Sequence, residues 1–396
     1  MPASADPVST VPRRGFGLYV HWPFCVSKCP YCDFNSHVRA QVDAVRWQAA
    51  YLAELNHHAD AGTGAGERLT SIFFGGGTPS LMPPDTAAAI IETARQRWGF
   101  APDIEITLEA NPNSAEAGKF AAFAAAGINR LSIGVQSFDE RALKFLGRAH
   151  DAGEARQAIA AAAKTVPRYS FDLIYARPDQ SAESWRAELA DALALAGDHL
   201  SLYTLTIEPN TGFAGAVARG VLMPMQADAQ AELYDLTQEI MAAAGMPAYE
   251  ISNHAKPHGE SRHNLVYWRS GDYIGLGPGA HGRIRGSDGW QATQNRRRPE
   301  TWLEQVEMQG HGREAMLPVT ARERAEEVLM MGLRLSEGVH AANFRAACGL
   351  DLDAVVPLQR SAPLEAAGLL IRSPDRLVAT KDGRAVLDGL LAKLLA

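Results

Sequence analysis

Cysteine is scarce in this sequence: its 396 residues include only four. A framework of disulfides, which stabilises many small secreted domains, is therefore excluded. Three of the four cysteines nevertheless fall within eight positions, at Cys25, Cys29 and Cys32 of the segment HWPFCVSKCPYCDF, and the fourth is Cys348. A tight cluster in a chain otherwise poor in cysteine indicates metal or redox chemistry.

Net positive charge and long hydrophobic runs are also missing from the sequence. A formal charge of −7 gives no general attraction to nucleic-acid phosphates or to an anionic membrane surface. No run approaches the roughly 18 apolar residues of a membrane span, and residues 1–14 lack the apolar stretch of a signal peptide. We therefore expect a cytoplasmic protein without a nucleic-acid partner or a membrane span, in which residues 1–14 form a disordered leader.

Short β-branched and aromatic runs alternate with alanine-rich segments of helical periodicity over the first 245 residues. Because parallel strands need crossover helices, this alternation predicts an α/β fold with a parallel sheet. Periodicity is compatible both with an open doubly wound sheet and with a barrel-like curl. The predicted strands lie at residues 18–22, 71–76, 105–110, 130–136, 170–176 and 200–207.

Composition divides the rest of the chain in two. Residues 246–317 are rich in Gly, Pro, His, Arg and Trp and are predicted to form a loop-rich segment connected to the core at 15–245. Residues 318–396 show short helical patterns, a hairpin pattern around Ser373 and Arg376, and a final helix. That order predicts a smaller, mainly helical, winged-helix-like domain. The acidic chain favours a structural or lid role for it over DNA binding.

The three clustered cysteines fit an iron-sulfur cluster better than a zinc ion. A structural zinc site usually closes a tetrahedron with two separated pairs of ligands, whereas this loop supplies three thiolates close together. Three thiolates can hold three corners of a 4Fe–4S cubane and leave the fourth iron open to another ligand. The loop directly follows the first predicted strand, at the end of a parallel sheet where active sites lie.

The loop resembles the signature of the radical S-adenosylmethionine (SAM) superfamily, C-x3-C-x2-C with the aromatic Tyr31 before the last cysteine. This resemblance implies a partial (βα)6 TIM-like barrel as the core, a 4Fe–4S cluster on the three cysteines, and bound SAM. The segment FFGGGTPS and polar residues near later strands match the superfamily in the same order. The residues that the resemblance assigns to SAM are Tyr19, Tyr31, Gly76, Gly77, Thr78, Glu109, Gln136, Arg148 and Asp172. Among these, Arg148 suits the carboxylate of SAM because a guanidinium can bind it through two nitrogens.

Within the superfamily, the segments YVHWPFC, GGGTPS, EANP, GVQSF, LGRAH and YIGLGPGAHG resemble the family of oxygen-independent coproporphyrinogen III oxidase. The oxidase is similar through the cluster loop but has a further cysteine two positions after the third ligand, where this chain has Phe34. It also has a longer N-terminal extension. Both departures argue against oxidative decarboxylation.

The segment HNLVYW resembles the H-N-x-x-Y-W motif of the haem chaperone (HemW) branch of that family. The resemblance implies a haem site made by His263, Asn264, Tyr267 and Trp268. Imidazole can ligate haem iron, and aromatic rings can line the macrocycle. Other candidates for contact with haem are His254, His258, His281 and the arginines at 296–298.

Two functions of different classes follow. In the first, the protein binds haem and hands it to acceptor proteins that the sequence does not identify. In the second, it is a coproporphyrinogen III oxidase that cleaves SAM and therefore needs an electron donor. A radical SAM enzyme acting on another substrate is a third possibility. Phe34 and HNLVYW favour the haem chaperone.

Overall fold

The computed structural model describes residues 11–39, 41–286 and 289–396. Strand and helix alternate through its first part, as the sequence predicts. The elements are β1 (Phe16–Trp22), β2 (Phe24–Cys25), β3 (His37–Val38), α1 (Ala44–Asp60), β4 (Leu69–Gly76), α2 (Pro84–Trp98), β5 (Phe100–Ala110), α3 (Ser114–Ala117), α4 (Phe120–Ala125), β6 (Arg130–Gln136), α5 (Glu140–Phe145), α6 (Ala152–Thr165), β7 (Arg168–Tyr175), α7 (Ala182–Leu195), β8 (His199–Thr204), α8 (Gly212–Ala218) and α9 (Ala227–Ala243).

Residues 246–317 contain regular structure, and the prediction of a loop-rich segment is wrong for them. The elements are β9 (Asn253–Ala255), α10 (Arg262–Trp268), β10 (Asp272–Leu276), β11 (His281–Gly286), β12 (Gly289–Asn295), α11 (Pro299–Gln309) and β13 (Arg313–Val319). Their strands extend the sheet beyond β1 and β8. Because pairing with a neighbouring strand positions them, their sequences do not need a regular alternation of apolar and polar residues. The GLGPGAHG segment, which suggests a loop, is the end of β10, a turn and the start of β11.

One mixed sheet contains 11 strands of the described ranges, in the order β13-β12-β11-β10-β1-β4-β5-β6-β7-β8-β9. Strands β1, β4, β5, β6, β7 and β8 are parallel to their neighbours in this series, and β10 runs parallel to β1 on its other side. With their helices, the six strands form the predicted partial (βα)6 barrel. The remaining pairs are antiparallel.

The two faces of the barrel strands differ in chemistry. Leu18 and Val20 of β1 are fully buried against the helices. The opposite face carries small polar side chains, among them Ser71, Ser132 and Ser170, none of which is more than 8% exposed. This alternation produces a polar barrel interior, where the side chains bond to one another.

The C-terminal part has the predicted order of helices, hairpin and final helix. Strands β15 and β16 form the hairpin expected around Ser373 and Arg376, and β14 pairs with β16. The elements are α12 (Ala321–Gly332), β14 (Val339–His340), α13 (Ala341–Cys348), α14 (Leu352–Val355), α15 (Leu358–Ala366), β15 (Leu370–Arg372), β16 (Arg376–Ala379), α16 (Lys381–Ala385) and α17 (Leu387–Leu395). A separate hydrophobic core around Phe344 and Leu377 stabilises this part.

The predicted leader falls mostly outside the described residues, which begin at Val11. Its last residues contact the folded chain. The Asn343 side chain donates a hydrogen bond to the Pro12 carbonyl (2.9 Å), and the Arg14 guanidinium lies 6.0 Å from the Trp290 ring centre. Pro12 and Arg14 of the predicted leader thus contact the folded chain. Among the described residues, no helix is long and apolar enough to cross a membrane.

Candidate functional site: the cysteine loop and its cavity

The three clustered cysteines line one cavity of about 210 Å³ beside the carboxyl ends of the barrel strands. The loop starts where β1 and the short β2 end, so the sheet fixes its base. Cys25 is buried, whereas Cys29 and Cys32 are partly exposed. The Cys32 amide donates to the Cys29 carbonyl (3.1 Å), which forms a tight turn between the second and third thiols.

Each thiol has its own polar neighbour. Thr78 Oγ1 donates to Cys25 Sγ (3.4 Å), Arg148 Nη1 donates to Cys29 Sγ (3.5 Å), and Ser36 Oγ lies 3.9 Å from Cys32 Sγ. Burial raises the pKa of the Cys25 and Cys32 thiols, so ionisation of these two needs a compensating positive charge such as a metal centre.

No group of three His, Cys, Asp or Glu side chains within the described ranges is arranged to hold one metal ion. In a 4Fe–4S cubane each thiolate binds a different iron, so the three thiols need not converge on one ion. The donor chemistry of the cavity therefore fits a 4Fe–4S cluster on Cys25, Cys29 and Cys32.

Gly76, Gly77 and Thr78 line the cavity at the end of β4, as the sequence predicts. A Cβ atom on Gly77 would lie 2.8 Å from the Phe24 carbonyl oxygen, and Gly76 has a φ of 118°, so a side chain is unfavourable at both positions. The Gly77 amide donates to Trp22 (2.7 Å) and the Thr78 amide to Phe24 (2.9 Å). The turn is thus bonded to the start of the cysteine loop.

Two half-buried carboxyl groups, Glu109 on β5 and Asp172 on β7, line the same cavity. Burial and the charge of Asp172 raise the pKa of Glu109 to about 8, although the Gly76 amide donates to its Oε2 (3.3 Å). Burial also raises the pKa of Asp172 to about 6. A cationic ligand would relieve this repulsion, and SAM carries positive charge on its sulfonium and its ammonium group.

Arg148 lies on the cavity wall, but its guanidinium is already heavily engaged. Nη2 donates to Asn111 Oδ1 (2.6 Å) and to the Gly134 carbonyl (2.8 Å), and Nη1 lies 3.5 Å from both Cys29 Sγ and Tyr31 OH. Within the described ranges, the buried Nε has no partner. The expected two-nitrogen contact with a SAM carboxylate would therefore require Nη2 to leave a present partner. As placed, Arg148 supports the cysteine loop from the cavity wall.

Gln136 ends β6 on the cavity wall with a φ of 69°, in the left-handed region. Glycine is usually found there, and a residue with a side chain in this conformation indicates functional or structural constraint. Tyr31 also lines the cavity, next to Phe213 (ring centres 6.4 Å apart).

Tyr19 does not line the cavity. His21 Nε2 lies 2.9 Å from the Asn35 carbonyl and must donate to it, so Nδ1 accepts from Tyr19 OH (3.0 Å). As placed, Tyr19 reaches the cysteine loop through His21, and the predicted direct contact with SAM is not supported.

Comparisons with known proteins agree with this cavity. The radical SAM superfamily matches residues 19–192, and the HemN C-terminal domain matches residues 319–386. Heme chaperone HemW of Escherichia coli is 40% identical over 382 residues, which cover 96% of this chain and 98% of that protein. The chain belongs to the HemW branch of the radical SAM superfamily. Membership implies a 4Fe–4S cluster and SAM as cofactors.

Other relatives of this HemW-branch chain span most of its length. Heme chaperone HemW of Mycobacterium tuberculosis is 36% identical, covering 100% of this chain and 98% of that protein. Radical S-adenosyl methionine domain-containing protein 1, mitochondrial, of Bos taurus is 39% identical, covering 96% and 87%. The solved structure of coproporphyrinogen III oxidase (HemN) from Escherichia coli has a TM-score of 0.79 at 23% identity, covering 98% of this chain and 92% of that one. This last similarity shows a shared fold.

In this member of the HemW branch, the HNLVYW motif lies on α10, away from the cavity lining. His263 is 1% exposed and contacts Ser71 Oγ through Nδ1 (2.8 Å) and Tyr267 OH through Nε2 (2.8 Å). Its ring stacks on Phe73 (ring centres 5.0 Å apart), and burial lowers its pKa to about 3. Both nitrogens are engaged, so the structure does not support His263 as a ligand of haem iron.

The other motif residues connect the barrel to neighbouring elements. Asn264 Nδ2 donates to Tyr249 OH (3.5 Å). Trp268 lies below the Arg334 guanidinium (4.6 Å to the ring centre), where α10 meets the C-terminal domain. The amide of Arg262 donates to the buried Glu105 carboxylate (2.8 Å). The His263 ring thus packs against Ser71 and Phe73 of β4, which fixes α10 to the sheet. The structure does not show the four motif side chains as a haem site on the surface.

Several cavity residues of this HemW-branch chain were not predicted from the sequence. Asn111 joins the wall by accepting from Arg148 and donating to Thr78 Oγ1 (3.1 Å). The buried Glu116 accepts from the Asn111 amide (2.9 Å) and from Asn113 Nδ2 (2.6 Å). The signal was the polar run NPNS directly after β5, because a polar turn at a strand's carboxyl end often faces an active site.

Proposed function

We propose that this protein is a cytoplasmic haem chaperone that binds haem and passes it to acceptor proteins. It would also hold a 4Fe–4S cluster and SAM. Two relatives with almost complete coverage carry the name heme chaperone HemW, at 40% and 36% identity. That is the support from similarity, and the cavity supplies support of its own.

Phe34 is the observation that carries the proposal. It lines the cavity yet is 59% exposed, and it stands where the resemblance places a further cysteine of the oxidase. The cavity, at about 210 Å³, is smaller than the roughly 300–1,000 Å³ of pockets that enclose drug-sized ligands. A tetrapyrrole would therefore lie at the opening of the cavity, against the phenyl ring of Phe34. Unlike the cysteine of the oxidase at this position, that ring has no redox chemistry.

Different residues of the cavity would bind the cluster and SAM. Cys25, Cys29 and Cys32 would hold the cluster, which when bound supplies an open iron and, if reduced by an electron donor, an electron for SAM. Glu109 and Asp172 would bind the positive groups of SAM. Thr78 and Arg148 position the thiols from opposite elements of the wall.

The test combines two measurements on one sample of anaerobically reconstituted protein. Haem titration should show about one haem per chain, and an assay for decarboxylation of coproporphyrinogen III should show no product. Transfer is then followed by mixing the haem-loaded protein with apomyoglobin, a general haem acceptor with a distinct visible spectrum. Conversion of coproporphyrinogen III without haem binding would show that the protein acts as the oxidase and not as a haem chaperone.

A further inference from the structure

The three consecutive arginines at 296–298 are not equivalent. Arg296 pairs with Glu314 (3.5 Å) and Arg298 with Glu300 (3.6 Å). Arg297 lies between them with an exposed side chain, and the described part of the chain places no acidic group in an ion pair with it. One cation of the run is thus available for an anionic ligand.

Asn35 connects this arginine to the cysteine loop. Its Nδ2 donates both to the Arg297 carbonyl and to the Pro278 carbonyl, each at 2.9 Å. A Cβ atom on Gly279 would lie 2.6 Å from Asn35 Nδ2, so the β10–β11 turn can approach this closely only because the residue is glycine. The cysteine loop, the turn and Arg297 therefore meet at Asn35, which lies between the cavity-lining residues Phe34 and Ser36.

His281, the first residue of β11, follows that turn directly. Its side chain is exposed, and no described residue hydrogen-bonds to either of its ring nitrogens. Partial burial, with Arg283 and Arg297 nearby, lowers its pKa, which keeps the imidazole neutral and able to ligate a metal. The other two histidines of this region are occupied, because His21 and His37 both bond to Asn35 (2.9 and 3.2 Å).

The cavity opening also presents apolar surface. Val26 and Phe34 line the cavity and are 69% and 59% exposed, and Lys28 lies on the same rim. A single exposed apolar residue is ordinary on a protein surface. Here Phe34 directly precedes Asn35, whose side chain bonds to the turn before His281 and to Arg297. An exposed aromatic ring, an imidazole and a cation therefore belong to connected segments, and they match the three parts of haem: an apolar ring, an iron and two carboxylates.

We propose that haem binds over the cavity opening, with its macrocycle on Phe34 and Val26, its iron ligated by His281 and a propionate paired with Arg297. The proposal rests on the haem-chaperone function and names the residues that would perform it. Haem would then lie next to the cluster loop, while His263 keeps a structural role against Ser71 and Phe73 of β4.

The experiment is a haem titration of the full-length, cluster-loaded protein followed by visible absorbance. His281→Ala should weaken binding by roughly tenfold or more and shift the haem spectrum, and added imidazole should restore the wild-type spectrum. Arg297→Ala should weaken binding by about twofold to fivefold with an unchanged spectrum, because an exposed pair is screened by water.

Matched controls separate the site from general damage. Arg298→Ala removes the adjacent exposed arginine, and His258→Asn removes another exposed histidine whose left-handed backbone (φ 68°) suits asparagine. Both should bind haem as the wild type does. Iron and sulfide content and the circular dichroism of each variant verify that the cluster and fold are intact.

The possible outcomes distinguish a failure of the proposed haem site from a failure of the haem-chaperone function. A wild type that binds no haem overturns the chaperone function, and the site with it. A wild type that binds haem, together with a His281→Ala variant of identical affinity and spectrum, overturns the site and leaves the function standing. Loss of the iron ligand in His263→Ala, with His281→Ala unaffected, would return the ligand to the HNLVYW motif.

Discussion

Glu109 and Asp172 line one cavity, and the negative charge of Asp172 adds to burial in raising the pKa of Glu109 to about 8. At pH 7 the Glu109 carboxyl is therefore largely protonated in the free protein. Binding of a cation next to it favours the carboxylate, so the proton must leave.

SAM binding should accordingly release close to one proton at pH 7, and SAM affinity should rise as the pH increases toward about 8. Calorimetry in two buffers of different ionisation enthalpy measures this release. Glu109→Gln should abolish most of it, whereas Glu304→Gln, an exposed control, should not. Binding heats that do not depend on the buffer would show that Glu109 does not face the ligand.

Arg148→Ala should reduce both the cluster content and the affinity for SAM. The substitution removes the bonds by which Arg148 holds Asn111, Gly134 and Cys29 in place. Cofactor binding must then restore the order of this wall, at a cost of about 1.5 to 3 kcal/mol for the lost charge-assisted bonds, which is roughly tenfold to a hundredfold in affinity. Iron per chain and a SAM titration are the measurements. Arg156→Ala, which breaks an exposed ion pair with Asp191, is the control. Normal SAM affinity in Arg148→Ala would remove this residue from the ligand site.

Alanine at Cys25, Cys29 or Cys32 should abolish the broad visible absorbance of the reconstituted cluster, while Cys348→Ala should retain it. Cys348 lies in α13 of the C-terminal domain, where its thiol donates to the Phe344 carbonyl (3.1 Å). Its loss should cost about 1 kcal/mol of stability at most through this bond. Iron and sulfide analysis of the four variants tests the assignment, and a Cys348 variant without iron would contradict it.

Acid should destabilise the fold through the buried His263. Burial lowers its folded-state pKa to about 3, and an unfolded histidine titrates near 6.5. Between these values the unfolded chain holds a proton that the folded chain does not. The free energy of unfolding should therefore fall with decreasing pH, by up to about 1.4 kcal/mol per unit from this residue.

His263→Gln should reduce the slope of the free energy of unfolding against pH by the equivalent of about one proton. This change in slope does not depend on how the substitution affects stability at pH 7. Urea unfolding at several pH values between 4.5 and 7 gives the slope. An identical slope in variant and wild type would mean that His263 is not buried as a neutral ring.

The sequence predicted the strands of the barrel well because each needs apolar residues against its helices. Val20 and Leu18 carry that signal. It predicted the cysteine loop because the spacing is specific. It failed for β11 and β12, whose pairing comes from an existing sheet edge, and for His263, whose burial depends on Ser71 in a strand 192 residues away along the chain. The left-handed Gln136 was equally hidden, since nothing local to a strand end requires that conformation.

Strand β1 has a neighbour on each side, β4 and β10, and both pair with it in parallel. The base of the cysteine loop is therefore held by two ladders of backbone hydrogen bonds that do not involve a metal. Amide hydrogens of β1 should exchange as slowly with the metal centre absent as with it present. A cluster that is lost to oxidation can then be rebuilt without unfolding of the chain, because the strand pairings that support its loop do not depend on iron or sulfide.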